Sequence, residues 1–187
     1  DATACYDRIL CSIASMCGLK YGIHKDIVFV HALTLKEAEF KLKTSKKVSD
    51  TSYKHCFKFP IHGTGQGSTN SPIIWCFISS VAFTAHDDRA HGMTFSSPDA
   101  SIFVRINMVR FVDDSTCLTG GKATTSYDEI KSMMKDDAQL WHDLFWITGG
   151  KLELSKCGYH VVFYDFDDDG LPVMRWKDKD SIVLTNN

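Results

Sequence analysis

The 187-residue sequence has no uninterrupted apolar run of the roughly 18 residues that a membrane-spanning helix needs. The longest approach, Pro72 to Ala85, is broken by Ser79, Ser80 and Thr84. An excess of charge of one sign is also missing. Lys and Arg total 21 and Asp and Glu total 23, a net charge of −2. With 44% apolar and 24% charged residues, the composition excludes a disordered tail, a collagen-like repeat and a strongly basic nucleic-acid arm. A total near zero leaves nucleic acid open as a partner, because binding depends on local patches. No internal repeat or low-complexity segment occurs. The chain opens on Asp1 without a basic start or an apolar stretch, so no signal peptide is expected, and the missing Met points to a fragment. The length suits one domain, or one large piece of a bigger protein. Cysteine pairs spaced C-x-x-C and Cys/His clusters with zinc spacing are both absent. The seven cysteines are an odd number and are expected as reduced, mostly buried thiols of an intracellular protein. Nothing here chooses between nucleus and cytoplasm.

Apolar spacing predicts a helix from Cys5 to Gly18, with Gly18 as its C-cap, and a second from Ile23 to about Ala38. Ile27, Val28, Val30, His31 and Leu35 form the candidate inner face of the second. Alternation over Glu39 to Thr44 predicts a strand, Ser45 to Ser52 a turn, and Tyr53 to Ile61 a further strand. Lys36 to Lys58 holds seven Lys against Glu37, Glu39 and Asp50, a solvated face or one that touches phosphate. The glycine-rich loop from Gly63 to Gly67 leads into a helix from about Asn70 to His86, with Asn70 or Ser71 as cap and Pro72 in its first turn. His86 to Ala100 reads as a loop. Ile102 to Ile106, Met108 to Val112 and Ser115 to Leu118 read as strands. Ser126-x-x-Glu129 is a capping box ahead of a long helix that ends at Gly149-Gly150. Leu152 to Tyr164 and Leu171 to Trp176 read as paired strands around an Asp-rich turn. The sum is an α+β chain with its strands mostly in hairpins.

Adjacent aspartates occur at 87–88, 113–114, 136–137 and 167–169. Three of these have ordinary homes: a helix end, the solvent side of a helix, and a turn. Asp113-Asp114 instead sits between two hairpin strands with no glycine. Neighbouring carboxylates in a half-buried hairpin repel and lose hydration unless a cation neutralises them, and a divalent metal does so directly. The bland alternative is an exposed hairpin tip. Asp1 and Asp7 bracket Tyr6, and a third carboxylate on a neighbouring strand would complete a site for two metals about 4 Å apart. Gly65 to Pro72 offers backbone N–H groups and the Gln66 amide to an anionic or sugar-bearing ligand.

Taken in order, these segments resemble a family. D-x-x-x-x-Y-D (Asp1 to Asp7), Q-G-x-x-x-S-P (Gln66 to Pro72), F-V-D-D (Phe111 to Asp114) and G-G-K-L-x-L-x-K-C (Gly149 to Cys157) resemble the palm motifs of retroelement reverse transcriptases over about residues 1 to 160. The resemblance implies a right-hand polymerase palm spanning 1–187, with an antiparallel sheet and helices packed on one face. It implies RNA-directed DNA synthesis on an RNA template, with a DNA primer, dNTP and two Mg²⁺ ions, Mn²⁺ being a substitute. Asp1, Asp113 and Asp114 would be the metal-holding catalytic residues. Tyr6 falls at the position that rejects a 2′-OH, Gln66 and Gly67 at the incoming nucleotide, and Lys156 at the pyrophosphate. Glu153 departs from the family's frequent Asn. Two alternatives stay open: another right-hand palm, such as a group II intron maturase or RNA replicase, and an inactive relic copy. Asp165 to Gly170 fits only the first half of a calcium loop, since its twelfth position is Trp176 rather than Glu. The Gly63 loop lacks the dinucleotide spacing. Trp141-His142-Asp143 has no nucleophile motif to serve.

Overall fold

The helix stops and turns follow from local chemistry more closely than the element lengths do. The computed structural model describes residues 5–56, 62–64, 68–122, 124–175 and 181–185. Its elements are α1 (Cys5–Arg8), α2 (Cys11–Lys20), α3 (Lys25–Glu37), β1 (Phe40–Lys43), β2 (Val48–Tyr53), α4 (Ser71–Asp87), β3 (Met93–Ser96), β4 (Phe103–Ile106), β5 (Met108–Phe111), β6 (Asp114–Cys117), α5 (Tyr127–Ile147), a 3₁₀ turn (Leu154–Lys156), β7 (Phe163–Phe166) and β8 (Pro172–Arg175). The chain is α+β, with helices and small antiparallel sheets. Among the described residues the strands pair as β1–β2, β3–β4, β5–β6 and β7–β8, four separate two-stranded sheets where one antiparallel sheet was expected. Among the described residues no helix is long and apolar enough to cross a membrane. Two compact units emerge, Ala4–Val81 with Ile147–Lys151, and Ala82–Trp146 with Leu152–Asn187. The boundaries fall inside α4 and at the end of α5.

In the first unit, the expected helix from Cys5 to Gly18 is two helices. Ile9 and Leu10 break it because their backbone is used elsewhere: Leu10 N–H donates to Thr148 O at 3.0 Å, and Gly63 N–H donates to Ile9 O at 2.8 Å. Gly18 is not the cap. It lies inside α2, where a Cβ would stand 3.6 Å from both Ile23 and Val28. Gly22 closes the helix at φ 82°. Ile23 N–H donates to Gly18 O and Gly22 N–H to Leu19 O, each at 3.0 Å, the paired bonds of a Schellman stop. The α3 face expected to be internal buries no residue fully, and Ile27 and Val30 are exposed. Residues 48–52, expected as turn, are strand. The turn is shorter, because the Thr44 hydroxyl accepts from the N–H groups of Lys46 and Lys47 and closes the hairpin at once. Of the strand expected over Tyr53 to Ile61, residues 57–61 lie outside the described residues. Trp75 and Ile78 of α4 are buried, as are Ile9, Cys11, Ala14 and Cys17.

In the second unit, Ala82 and His86 continue the buried stripe of α4 at helical spacing. The capping box forms as read: Ser126 N–H donates to Glu129 Oε2 at 2.7 Å, and Glu129 N–H to Ser126 Oγ at 3.3 Å. The Ser126 N–H and the Ser126 hydroxyl both donate to the Glu129 carboxylate and hold its pKa below the ordinary value. The buried residues Asp137, Trp141, His142 and Phe145 then form the inner stripe of α5. Asp136-Asp137 was expected on the solvent side of this helix, but Asp137 is only 2% exposed. The loop expected from His86 to Ala100 contains β3, which pairs Met93–Ser96 with Phe103–Ile106. Leu152 to Tyr164 is not one strand; a 3₁₀ turn occupies Leu154–Lys156, with the first strand residue at Phe163. The Asp-rich turn is structural. Asp167 Oδ1 accepts from Asp169 N–H at 3.1 Å and Leu171 N–H at 2.8 Å, tying together the β7–β8 hairpin.

Candidate functional site

Asp113 and Asp114 stand at the tip of the β5–β6 hairpin. Phe111 pairs with Asp114, which leaves Val112 and Asp113 as a two-residue turn. Val112 has φ 55° and Asp113 a negative φ, the sign pattern of a II′ turn, whose twist suits a hairpin. Glycine normally takes that first position. A β-branched residue there is strained by about 1–3 kcal/mol. Val112→Gly should therefore raise stability by about 0.5–1 kcal/mol, once the larger entropy loss of glycine is subtracted. Urea unfolding measures it, and a lower midpoint would mean that the Val112 side chain contributes more than its strained backbone costs.

The strained tip sits on a hairpin that is anchored at its base. Met108 is buried, and the Arg110 guanidinium lies 5.4 Å from the centre of the Phe83 ring. Beyond β6, Leu118 N–H donates to Asn107 O at 2.8 Å and the Thr119 hydroxyl to Asp137 Oδ2 at 2.6 Å. Toward the tip, cover falls away: Asp113 is half-buried, Asp114 exposed, and Phe111 79% exposed. Among the described residues neither carboxylate joins an ion pair or accepts a hydrogen bond. Two hard oxygen donors with no protein partner fit a hard divalent cation such as Mg²⁺. Among the described residues no group of three or more His, Cys, Asp or Glu gathers at metal-holding distance. Asp1, the third expected ligand, lies outside them.

Tyr6 belongs to the first unit. It is half-buried in α1, with its ring 6.5 Å from Trp75 in an edge-on contact. Its carbonyl accepts from Thr64 N–H at 2.8 Å, and the buried Ser71 hydroxyl donates to Thr64 O at 2.8 Å. Ser71, expected as a helix cap, is spent on this tie. Gly63 stands at φ 84°, and a Cβ there would meet Asp7 backbone atoms at 3.1–3.4 Å. Glycine is thus required where the loop crosses α1. Gln66 and Gly67 lie outside the described residues; Thr64 before them is tied to Tyr6, and Ser71 after them is tied to Thr64. Lys156 was read at a strand end; it lies instead in the 3₁₀ turn, exposed, with its N–H donating to Glu153 O at 2.9 Å.

The sequence reading missed Asp137. Its Oδ1 accepts from His91 N–H at 2.9 Å and from His91 Nδ1 at 2.8 Å, while Oδ2 takes the Thr119 hydroxyl. Its carbonyl meets His86 Nε2 at 3.1 Å. One α5 residue so joins the end of α4, the turn before β3 and the end of β6. Burial pushes the His86 pKa down. Burial first, and then the charges of Asp137 and Cys157, push the Cys117 thiol up to about 12. Cys11 and Cys17 are buried as expected, but Cys56, Cys76 and Cys157 are exposed. The only signal for Asp137 was its four-residue spacing from Trp141 and Phe145, which its charge obscured. No protein-family model, curated protein or solved structure matches the chain.

Proposed function

We propose that the chain is the palm of a retroelement reverse transcriptase and takes part in RNA-templated DNA synthesis by nucleotidyl transfer. The observation that carries this reading is the β5–β6 tip. A strained turn on an anchored hairpin presents Asp113 and Asp114 without a partner among the described residues, and these two are the pair that the aromatic-x-D-D resemblance reads as catalytic. Asp113 and Asp114, with Asp1, would hold Mg²⁺. Held by these carboxylates, two such ions would supply a lowered pKa for the primer 3′-OH and charge neutralisation of the triphosphate and its leaving pyrophosphate.

The protein's own part is positioning and charge. Asp113 would supply a carboxylate at the tip of the β5–β6 hairpin. The transfer joins the primer 3′-oxygen to the α-phosphorus and releases pyrophosphate, which Lys156 would neutralise. Gln66 and Gly67 would meet the incoming nucleotide, and the Tyr6 ring would pack beneath its sugar. A 2′-OH is small, and binding energy discriminates small groups poorly, so its rejection needs a wall that clashes with it.

The test uses a polymerase that carries this chain as its palm. Tyr6→Val should shift the ratio of kcat/KM for dNTP over rNTP by roughly 10²-fold toward ribonucleotides, with only a modest fall in dNTP use. If the ring serves only its contact with Trp75, stability and both activities should fall together with the ratio unchanged. That result would withdraw the sugar-selection role and favour an RNA replicase.

A further inference from the structure

The β1–β2 hairpin of the first unit buries none of its strand residues fully. Of its strand residues only Phe40 and Ser49 are even half-buried. A lone two-stranded hairpin is marginally stable at best, so it depends on its own cross-strand contacts. Here the directly opposed Phe40 and Tyr53 supply them, with ring centres 5.4 Å apart and 24° between planes. Lys41 and Lys43 follow Phe40 on β1, and the pairing with β2 shifts register between the two lysines.

The charge on this hairpin runs against that of the chain. Five lysines face two carboxylates between residues 39 and 54, in a sequence whose net charge is −2. Both carboxylates are already engaged. Asp50 pairs with Lys47 at 3.3 Å, and Glu39 with Lys54 at 3.3 Å. Lys41 and Lys43 on the strand, and Lys46 in the turn, are exposed and have no ion pair among the described residues. They are three cations within six residues that no ion pair compensates among the described residues, on a hairpin braced by the Phe40–Tyr53 stack. A ligand that complements them carries repeated, exposed negative charges at short intervals and needs no shaped pocket. A nucleic-acid backbone has that form.

We infer that the β1–β2 hairpin is a nucleic-acid contact surface on which Lys41, Lys43 and Lys46 bind successive backbone phosphates without reading sequence. This surface does not depend on how Asp113 is read. Three contacts to a single strand should give a slope of about −2 in a plot of log affinity against log salt, close to 16-fold weaker binding between 50 and 200 mM salt.

The experiment is fluorescence anisotropy of a labelled 20-nucleotide oligouridine with the full chain across that salt range. The triple variant K41Q/K43Q/K46Q should bind at least about 10-fold more weakly at 50 mM, with a slope near zero. K41R/K43R/K46R should retain affinity and slope, which shows that charge rather than the hairpin fold is read. The assay contains no nucleotide and no divalent metal, so a failed catalytic reading would leave this result standing. Three results would each overturn the inference: undiminished binding by the glutamine variant, an equal loss in the control K122Q/K135Q/K151Q, or binding to phosphatidylserine vesicles without binding to the oligonucleotide.

Discussion

Asp113→Asn should lower templated nucleotide incorporation by roughly 10³-fold in a polymerase that carries this chain as its palm, with no measurable loss of folding stability. Asparagine keeps the shape of the side chain and removes its charge, and charge is what a divalent cation requires of this position. Stability should hold because the Asp113 carboxylate joins no ion pair or hydrogen bond among the described residues. A change at a site without packing or pairing stays within about 0.5 kcal/mol. The two readouts separate the explanations. Lost incorporation with an unchanged urea midpoint assigns the residue to chemistry, whereas a matching loss of both assigns it to the fold. Near-normal incorporation would remove Asp113 from the catalytic set.

Asp137→Ala should cost about 3 kcal/mol of stability. The carboxylate is enclosed and accepts three hydrogen bonds, two from His91 and one from Thr119. Alanine leaves those donors without their acceptor and opens a void beside Trp141 and His86, which are both buried. Breaking a buried pair costs about 3–5 kcal/mol, and the lower end applies because the His91 side chain is 39% exposed and water can reach it. Asp137→Asn retains an acceptor and should lose less, about 1–2 kcal/mol. It should also lower the Cys117 pKa, since one of the charges raising it is gone, while burial keeps that pKa above the ordinary thiol value. Urea unfolding measures the stability losses, and thiol alkylation against pH follows Cys117. A loss for alanine under about 1 kcal/mol would show that water replaces all three bonds.

Both predictions concern one hairpin, seen from its tip and from its base, and the two ends differed in how far the sequence revealed them. The tip was legible because a hairpin is a local object. Alternation over Met108 to Val112 and Ser115 to Leu118 suffices to place Asp113-Asp114 between two strands, although the register moves the turn to Val112-Asp113 and puts Asp114 in β6. The strain at Val112 was not legible. A valine ordinarily argues against a left-handed turn position, and only the register of Phe111 with Asp114 requires it there. The base was hidden for a different reason. A charged residue in a helix is normally read as solvent-facing, and Asp137 is buried only because His91 and Thr119, 46 and 18 residues away, meet it.

The amino-acid sequence alone determined the features whose causes lie within a few residues. These are the Ser126–Glu129 capping box, the buried stripe of α4, the Asp167 turn and the existence of the β5–β6 hairpin. Each rests on side-chain hydrogen bonds, apolar spacing or turn preferences that act over one or two helical turns. The tertiary structure decided whatever depends on partners far along the chain. Ile9 and Leu10 leave the helix because Gly63 and Thr148 use their backbone groups. Met93–Ser96 becomes a strand because Phe103–Ile106 supplies its ladder. α2 runs past Gly18 to stop at Gly22 because the Schellman bonds close there, with Ile23 placed beside Gly18. Backbone hydrogen bonds must be satisfied somewhere, and where the partner is distant, local propensity cannot name it.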